Sequence, residues 1–180
     1  MKVQRSEILD YETYEEQRDE IRASAMEAKN RRRIHLGENL TFLFESHETV
    51  RYQILEMVRI ERIVREADIQ HEIDTYNELI GENGDVGCTL LIEIEDPEDR
   101  ATLLAEWVGL PSMLYLETED GTRIHARPDE RQNEDAKISS VQFLMFPLGG
   151  KAPIAIGSEH PRLTLRQELT EEQSEAISSV

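Results

Sequence analysis

Apolar residues change their period once along this chain, and that change governs which folds are open to it. Up to residue 80 they recur mostly every three to four positions, interrupted by one short alternating stretch. From Cys88 onward they mainly alternate, around one helix opened at Asp96 and Pro97, with hairpin-like turns between the runs. The regular strand, helix, strand spacing of a parallel sheet is missing. The pattern predicts an α+β fold: a mainly antiparallel sheet with the N-terminal helices packed on one side. The chain of 180 residues is long enough for one domain with its own core. It is expected to run as a mainly helical part at 1–80, a mainly sheet part at 81–169, and a short C-terminal helix or tail at 170–180.

Local signals place the elements. Residues 11–33 read as a weakly apolar helix through Tyr14, Ile21, Ala25 and Ala28, ending in Lys29, Arg31, Arg32 and Arg33, with Gly37 as its stop. Leu40, Phe42 and Phe44 alternate as a strand, and Ser46 caps a helix over about 47–66. A break near Ala67 and Asp68 leads to a second helix at 68–80. On the next strand Cys88, Leu90, Ile92 and Ile94 share one face. Asp96 and Pro97 open a helix that Gly109 and Pro111 close. Residues 113–118 and 122–126 flank an Asp-Gly turn and read as a hairpin. A polar loop follows at 126–137, then a long strand at 139–147. Residues 149–161 read as an irregular connection, Leu163 and Leu165 as a short strand, and Thr170 with Gln173 as a capping box.

Charge excludes several function classes. With 20 Lys and Arg against 38 Asp and Glu, the formal charge is −18, which repels phosphate backbones and anionic lipid, so neither nucleic acid nor membrane is an expected partner. Residues 1–80 carry 12 basic and 18 acidic side chains, so the first half is the better host for an anion. Cys88, the only cysteine, allows no intrachain disulfide and no multi-thiolate metal site, and its strand position reads as packing. No apolar run reaches membrane-spanning length and the N-terminus has no signal-peptide core, so a cytoplasmic location is expected. Neither GENGDVG nor GGK completes a nucleotide-binding motif.

Candidate chemistry centres on the two helices after Ser46. On a helix of 47–66, Glu61 falls inside the stripe of Val50, Ile54, Met57 and Val64, with Gln53 at its margin and Glu56 enclosed if the helix is covered on more than one side. A carboxylate there must find a cation such as Arg33 or Arg51, a metal, donors or a proton. One reading is a structural salt bridge. The other gathers Glu61, His71, Glu72 and His47 as ligands suited to iron, manganese or zinc. Asp68 and His71 give only a single echo of the Glu-x-x-His pairs of di-iron bundles. The basic cluster Arg31, Arg32 and Arg33, with Arg51, is the candidate anion site.

The run RRRIHLGENLTFLFESHETVRYQILEMVRIERI, continued by IQHEIDTYNELI and more loosely by ISSVQFLMF and HPRLTLRQEL, resembles the signature stretch of an uncharacterised bacterial domain-of-unknown-function family. The resemblance spans most of the chain and marks Arg51, Gln53, Glu56, Glu61, His71, Glu72, Tyr76 and Asn77 as motif positions. Family members are often encoded beside rubrerythrin-like proteins and iron–sulfur oxidoreductases resembling heterodisulfide-reductase subunits. What this implies is an accessory protein of an iron-dependent redox or oxidative-stress pathway, with a redox or iron–sulfur protein as partner. Two alternatives stay open: an enzyme acting on a small anionic substrate with Glu61 or Glu56 as general base and Arg51 or Arg33 holding the anion, and a structural interaction module. The surface allows a monomer or a homodimer.

Overall fold

A computed structural model describes residues 1–132 and 136–179 of the chain. The long helix α1 (Tyr11–Arg32) starts where expected because the Asp10 carboxylate accepts from the backbone N–H groups of Glu12 and Thr13. It does not run on to a glycine stop. Arg33–Leu36 forms β1, which pairs antiparallel with β2 (Leu40–Phe44) through a turn in which Gly37 takes φ +63. The helix α2 (His47–Ile60) opens on Ser46, whose hydroxyl accepts from the Thr49 N–H. It ends six residues earlier than its apolar periodicity implied. Arg62, at φ 49, supplies the left-handed residue usually left to glycine: its N–H donates to Arg59 O and the Ile63 N–H to Val58 O.

After that early stop, α3 (Glu66–Asn77) leads to β3 (Val86–Ile92), then to α4 (Pro97–Glu106) capped by Asp96. Pro111 does not follow a helix end but sits inside a further turn, α5 (Leu110–Met113). The expected hairpin is present as β4 (Leu114–Thr118) and β5 (Arg123–His125). The segment read as a polar loop contains β6 (Arg127–Pro128) and a 3-10 turn at Glu130–Gln132, and its residues 133–135 lie outside the described residues. β7 (Val141–Phe146) follows. The supposed irregular connection is the eight-residue strand β8 (Pro153–His160), paired with both β4 and β9 (Leu163–Glu168). The chain closes on α6 (Glu171–Ser178), with the Thr170 and Gln173 capping box in place.

Two antiparallel sheets result, in the orders β1-β2-β3-β7-β6 and β5-β4-β8-β9. Period-2 alternation sends Leu40, Phe42, Phe44, Cys88, Leu90 and Phe146 into a core shared with Leu114, Leu116 and Ile156 of the second sheet and with Ile177 of α6. Burying each of these phenylalanines contributes about 1.5–3 kcal/mol. A separate apolar cluster, with Tyr14, Val50, Ile54, Leu55, Val58, Ile69 and Ile73, joins the helices α1, α2 and α3 to the N-terminal segment. The helical layer meets the first sheet from the face opposite the second sheet. Gly87 on β3 makes this contact possible: a Cβ there would stand 1.7 Å from the Leu79 carbonyl oxygen. No helix among the described residues is long and apolar enough to cross a membrane.

Candidate functional site

The carboxylate inside the helical layer is Glu56, not Glu61. Because α2 stops at Ile60, Glu61 becomes its exposed C-cap residue and leaves the apolar stripe. Ile60 and Val64 are exposed with it, at 62% and 73%. Glu56, only 9% exposed, accepts from the Tyr14 hydroxyl at 2.7 Å, from Arg18 Nε at 2.8 Å and Nη2 at 3.2 Å, and from Arg59 Nη2 at 3.2 Å. Burial alone would raise its pKa, but the hydrogen bonds from Arg18, Tyr14 and Arg59 outweigh it and hold the carboxyl at about 2. The same arrangement raises Tyr14, first through burial and then through the Glu56 carboxylate. The cations are not Arg33 or Arg51, as anticipated for Glu61, but Arg18, on the helix that read as weakly apolar, and Arg59.

The other expected residues divide among several places. His47 stands at the opposite end of α2 from Glu61, about 20 Å away at 1.5 Å per residue, with its Nε2 2.9 Å from Glu7 Oε1. It therefore cannot join a ligand set at the α2–α3 turn. Glu61, His71 and Glu72 line one shallow depression together with Arg62 and Arg65. Among the described residues, no group of three or more His, Cys, Asp and Glu side chains comes close enough to hold a metal ion. Glu72, Glu61 and Gln53 do gather around Tyr76, whose hydroxyl is raised by burial first and by the two carboxylates, with Gln53 acting in the other direction.

Of the basic cluster, Arg31 is exposed, and the Arg33 side chain makes, among the described residues, only a 3.4 Å contact from Nη1 to Asn30 Oδ1. Arg32 donates from Nη1 to the Ala176 carbonyl at 2.6 Å, tying α1 to the end of α6. Arg51 Nε donates to the Glu7 carbonyl at 3.1 Å. Asn77 mimics a strand partner for the N-terminus: its Oδ1 accepts from the Val3 N–H at 2.8 Å and its Nδ2 donates to Val3 O at 2.9 Å. Arg32, Arg51 and Asn77 thus fasten termini and connections.

A concavity of about 650 Å³ opens beside α3. Its floor is the helix-side face of β7, with Phe143 and Met145; one wall is α3 and its end, with His71, Thr75, Tyr76, Glu78 and Leu79; the other is the strap 127–132. The strap is stitched to β7. Asp129 N–H donates to Phe143 O at 3.0 Å, and the Gln132 side chain takes the place of a strand residue, its Oε1 accepting from the Phe143 N–H at 2.7 Å. Arg131 joins the two walls: Nη2 donates to Glu78 Oε2 and to Asp129 Oδ2, each at 2.7 Å. His71 lines both this cleft and the α2–α3 depression.

Sequence reasoning passed over the strap and the floor. One signal for the floor was present: Val141, Phe143 and Met145 are apolar on the face opposite Gln142, Leu144 and Phe146, so both faces of that strand ask for cover. Nothing local marked the strap as a cleft wall, because its contact with the end of α3 joins residues 53 positions apart, Glu78 and Arg131. Cys88 is fully buried, its thiol pushed well up by burial and by the nearby Glu45 carboxylate, in keeping with a packing role. Glu45, itself buried, accepts from the hydroxyls of Thr49 at 2.6 Å and Thr89 at 2.7 Å.

A family model described as "Protein of unknown function (DUF3501)" matches residues 2–179. A crystal structure titled as a novel protein of unknown function from Burkholderia pseudomallei K96243 is similar over 99% of this chain and 98% of its own, at 31% sequence identity and a TM-score of 0.90. No curated protein matches.

Proposed function

Because the chain belongs to the DUF3501 family of proteins of unknown function, its role has to be argued from its own geometry, and we propose that it is a ligand-binding module working through the cleft between α3 and the 127–132 strap. The observation that carries this reading is the cleft itself: about 650 Å³, floored by Phe143 and Met145, with an exposed lining that is mainly apolar and with its charged side chains on walls held by backbone and ion-pair contacts. Concavities of this size with mostly apolar linings are where proteins hold small molecules. The buried carboxylate favours binding over general-base chemistry. Glu56 is committed to three side chains and stays ionised down to a pKa of about 2, so it is a weak proton acceptor at neutral pH. The accessory role beside iron-dependent redox proteins that the family resemblance implies is a role such a module can fill.

The test is titration with N-phenyl-1-naphthylamine, an uncharged apolar probe that fluoresces when it leaves water. The wild-type protein is expected to bind it saturably with one site. Met145→Trp, which fills the floor, should weaken binding by at least about tenfold, the effect of losing some 1.4 kcal/mol of contact. Met113→Trp, at an exposed position outside the cleft, should leave it unchanged. Equal affinity in Met145→Trp overturns the reading, and so does absence of saturable binding both of this probe and of octanoate, a small amphipathic acid.

A further inference from the structure

The charges around the cleft are not equally engaged, and the imbalance points to the ligand. Its lining holds two carboxylates and two guanidiniums, Glu78, Asp129, Arg127 and Arg131. Both carboxylates are spent on Arg131: its Nε lies 2.9 and 3.0 Å from the two Asp129 oxygens, and its Nη2 reaches Asp129 and Glu78. Both carboxyl and guanidinium take up their charged forms more firmly as a result, with Asp129 lowered and Arg131 raised by their mutual hydrogen bonds. A cation entering the cleft would have to break this cluster to find a counter-charge.

Arg127 differs. It lines the cleft from β6, opposite Met145 in the strand register, and its side chain makes no hydrogen bond or ion pair within the described residues. Its planar guanidinium is suited to bidentate contact with a carboxylate. The Thr75 hydroxyl, on the opposite wall, is already donated to the His71 carbonyl at 2.8 Å. The principal charge left for a ligand is thus one arginine at the border of an apolar floor. The −18 charge of the whole chain opposes a polyanion at long range, so one negative charge on the ligand is favoured over several.

We infer that the cleft takes an amphipathic monoanion, its apolar body on Phe143, Met145 and Leu79 and its carboxylate on Arg127. This rests on the cleft being a binding site, and the experiment separates the two claims. Octanoate, octanol and octylamine, which share one alkyl chain, are competed against N-phenyl-1-naphthylamine. On the wild-type protein octanoate should displace the probe at a concentration about tenfold below octanol, the lower end of what a hydrogen bond to a charged group contributes, and octylamine should be the weakest of the three. Arg127→Gln should remove the advantage of octanoate over octanol, compared within that variant whatever its affinity for the probe; Arg127→Lys should restore part of it. Equal displacement by octanoate and octanol, or an advantage that survives Arg127→Gln, overturns the monoanion and leaves the cleft as a site for neutral ligands. Should the probe not bind, octanoate is titrated directly by calorimetry. Heat that vanishes in Arg127→Gln then supports the inference, and no heat in the wild-type protein overturns it together with the binding reading.

Discussion

Glu56→Gln is the substitution whose effect the structure specifies most closely. It keeps the shape of the side chain and an acceptor for the Tyr14 hydroxyl, but takes the negative charge away from Arg18 and Arg59. A carboxyl held at about 2 against an ordinary value of 4.5 corresponds to about 3 kcal/mol of stabilisation at neutral pH. Removing one partner of a fully buried pair costs about 3–5 kcal/mol. Here the side chains of Arg18 and Arg59 are 28% and 26% exposed and can recover some hydration. The expected loss is therefore about 2–3 kcal/mol at pH 7. The sign of the pH dependence follows from the depressed value. Stabilisation by Glu56 is fully present above the unfolded value near 4.5 and disappears as the pH falls through the folded value near 2. Urea unfolding of wild type and variant at pH 7, 4 and 2.5 measures the gap, and carboxylates common to both cancel in the difference. A gap under about 0.5 kcal/mol at pH 7, within the range of an ordinary surface substitution, refutes the reasoning. So does a gap of undiminished size at pH 2.5.

Arg62→Gly should stabilise the protein by about 1 kcal/mol, because a left-handed L-residue costs about 1–2 kcal/mol and glycine gives back only part of that through its looser unfolded chain. A lower urea midpoint in this variant would contradict the assignment of Arg62 as the turn residue that ends α2. Gly87→Ala should destabilise by more than about 2 kcal/mol, since its Cβ would meet the Leu79 carbonyl at 1.7 Å and force the end of α3 off β3. Leu79 also lines the cleft, so the same variant should weaken probe binding, and unchanged affinity alongside unchanged stability would show that α3 is not held there.

Much of the fold was legible wherever its cause lies within a few residues. Ser46, Asp96 and Thr170 all cap the helices they precede, because the acceptor and the N–H groups it satisfies are two or three positions apart. Leu40, Phe42 and Phe44 face the core for a similar reason: alternation is a property of the strand backbone itself. The strand β8 was not legible. Pro153, Gly157 and the small residues around them have little intrinsic preference for a strand, and the segment becomes one by pairing with β4 on one side and β9 on the other. The end of α2 was hidden because Arg62 takes a conformation that normally announces itself with glycine.

That single stop decided which carboxylate went inside, and so the site could not be read at residue level. The helical pair carrying Gln53, Glu56, Glu61, Glu72 and Tyr76 was visible in the sequence as the place where polar groups meet a core, since apolar periodicity and the positions of charged residues on it need no partner to be seen. Burial of Glu56 depended on Tyr14 and Arg18 arriving from α1, and the cleft on a strap that meets α3 across 53 residues, from Glu78 to Arg131. By itself, then, the sequence determined the helix starts, the caps and the faces of the alternating strands, which are settled by hydrogen bonds and side-chain periods a few residues long. Only the tertiary structure decided which charges were paired and where an apolar strand face was left open, because those outcomes depend on contacts between segments that no local pattern brings together.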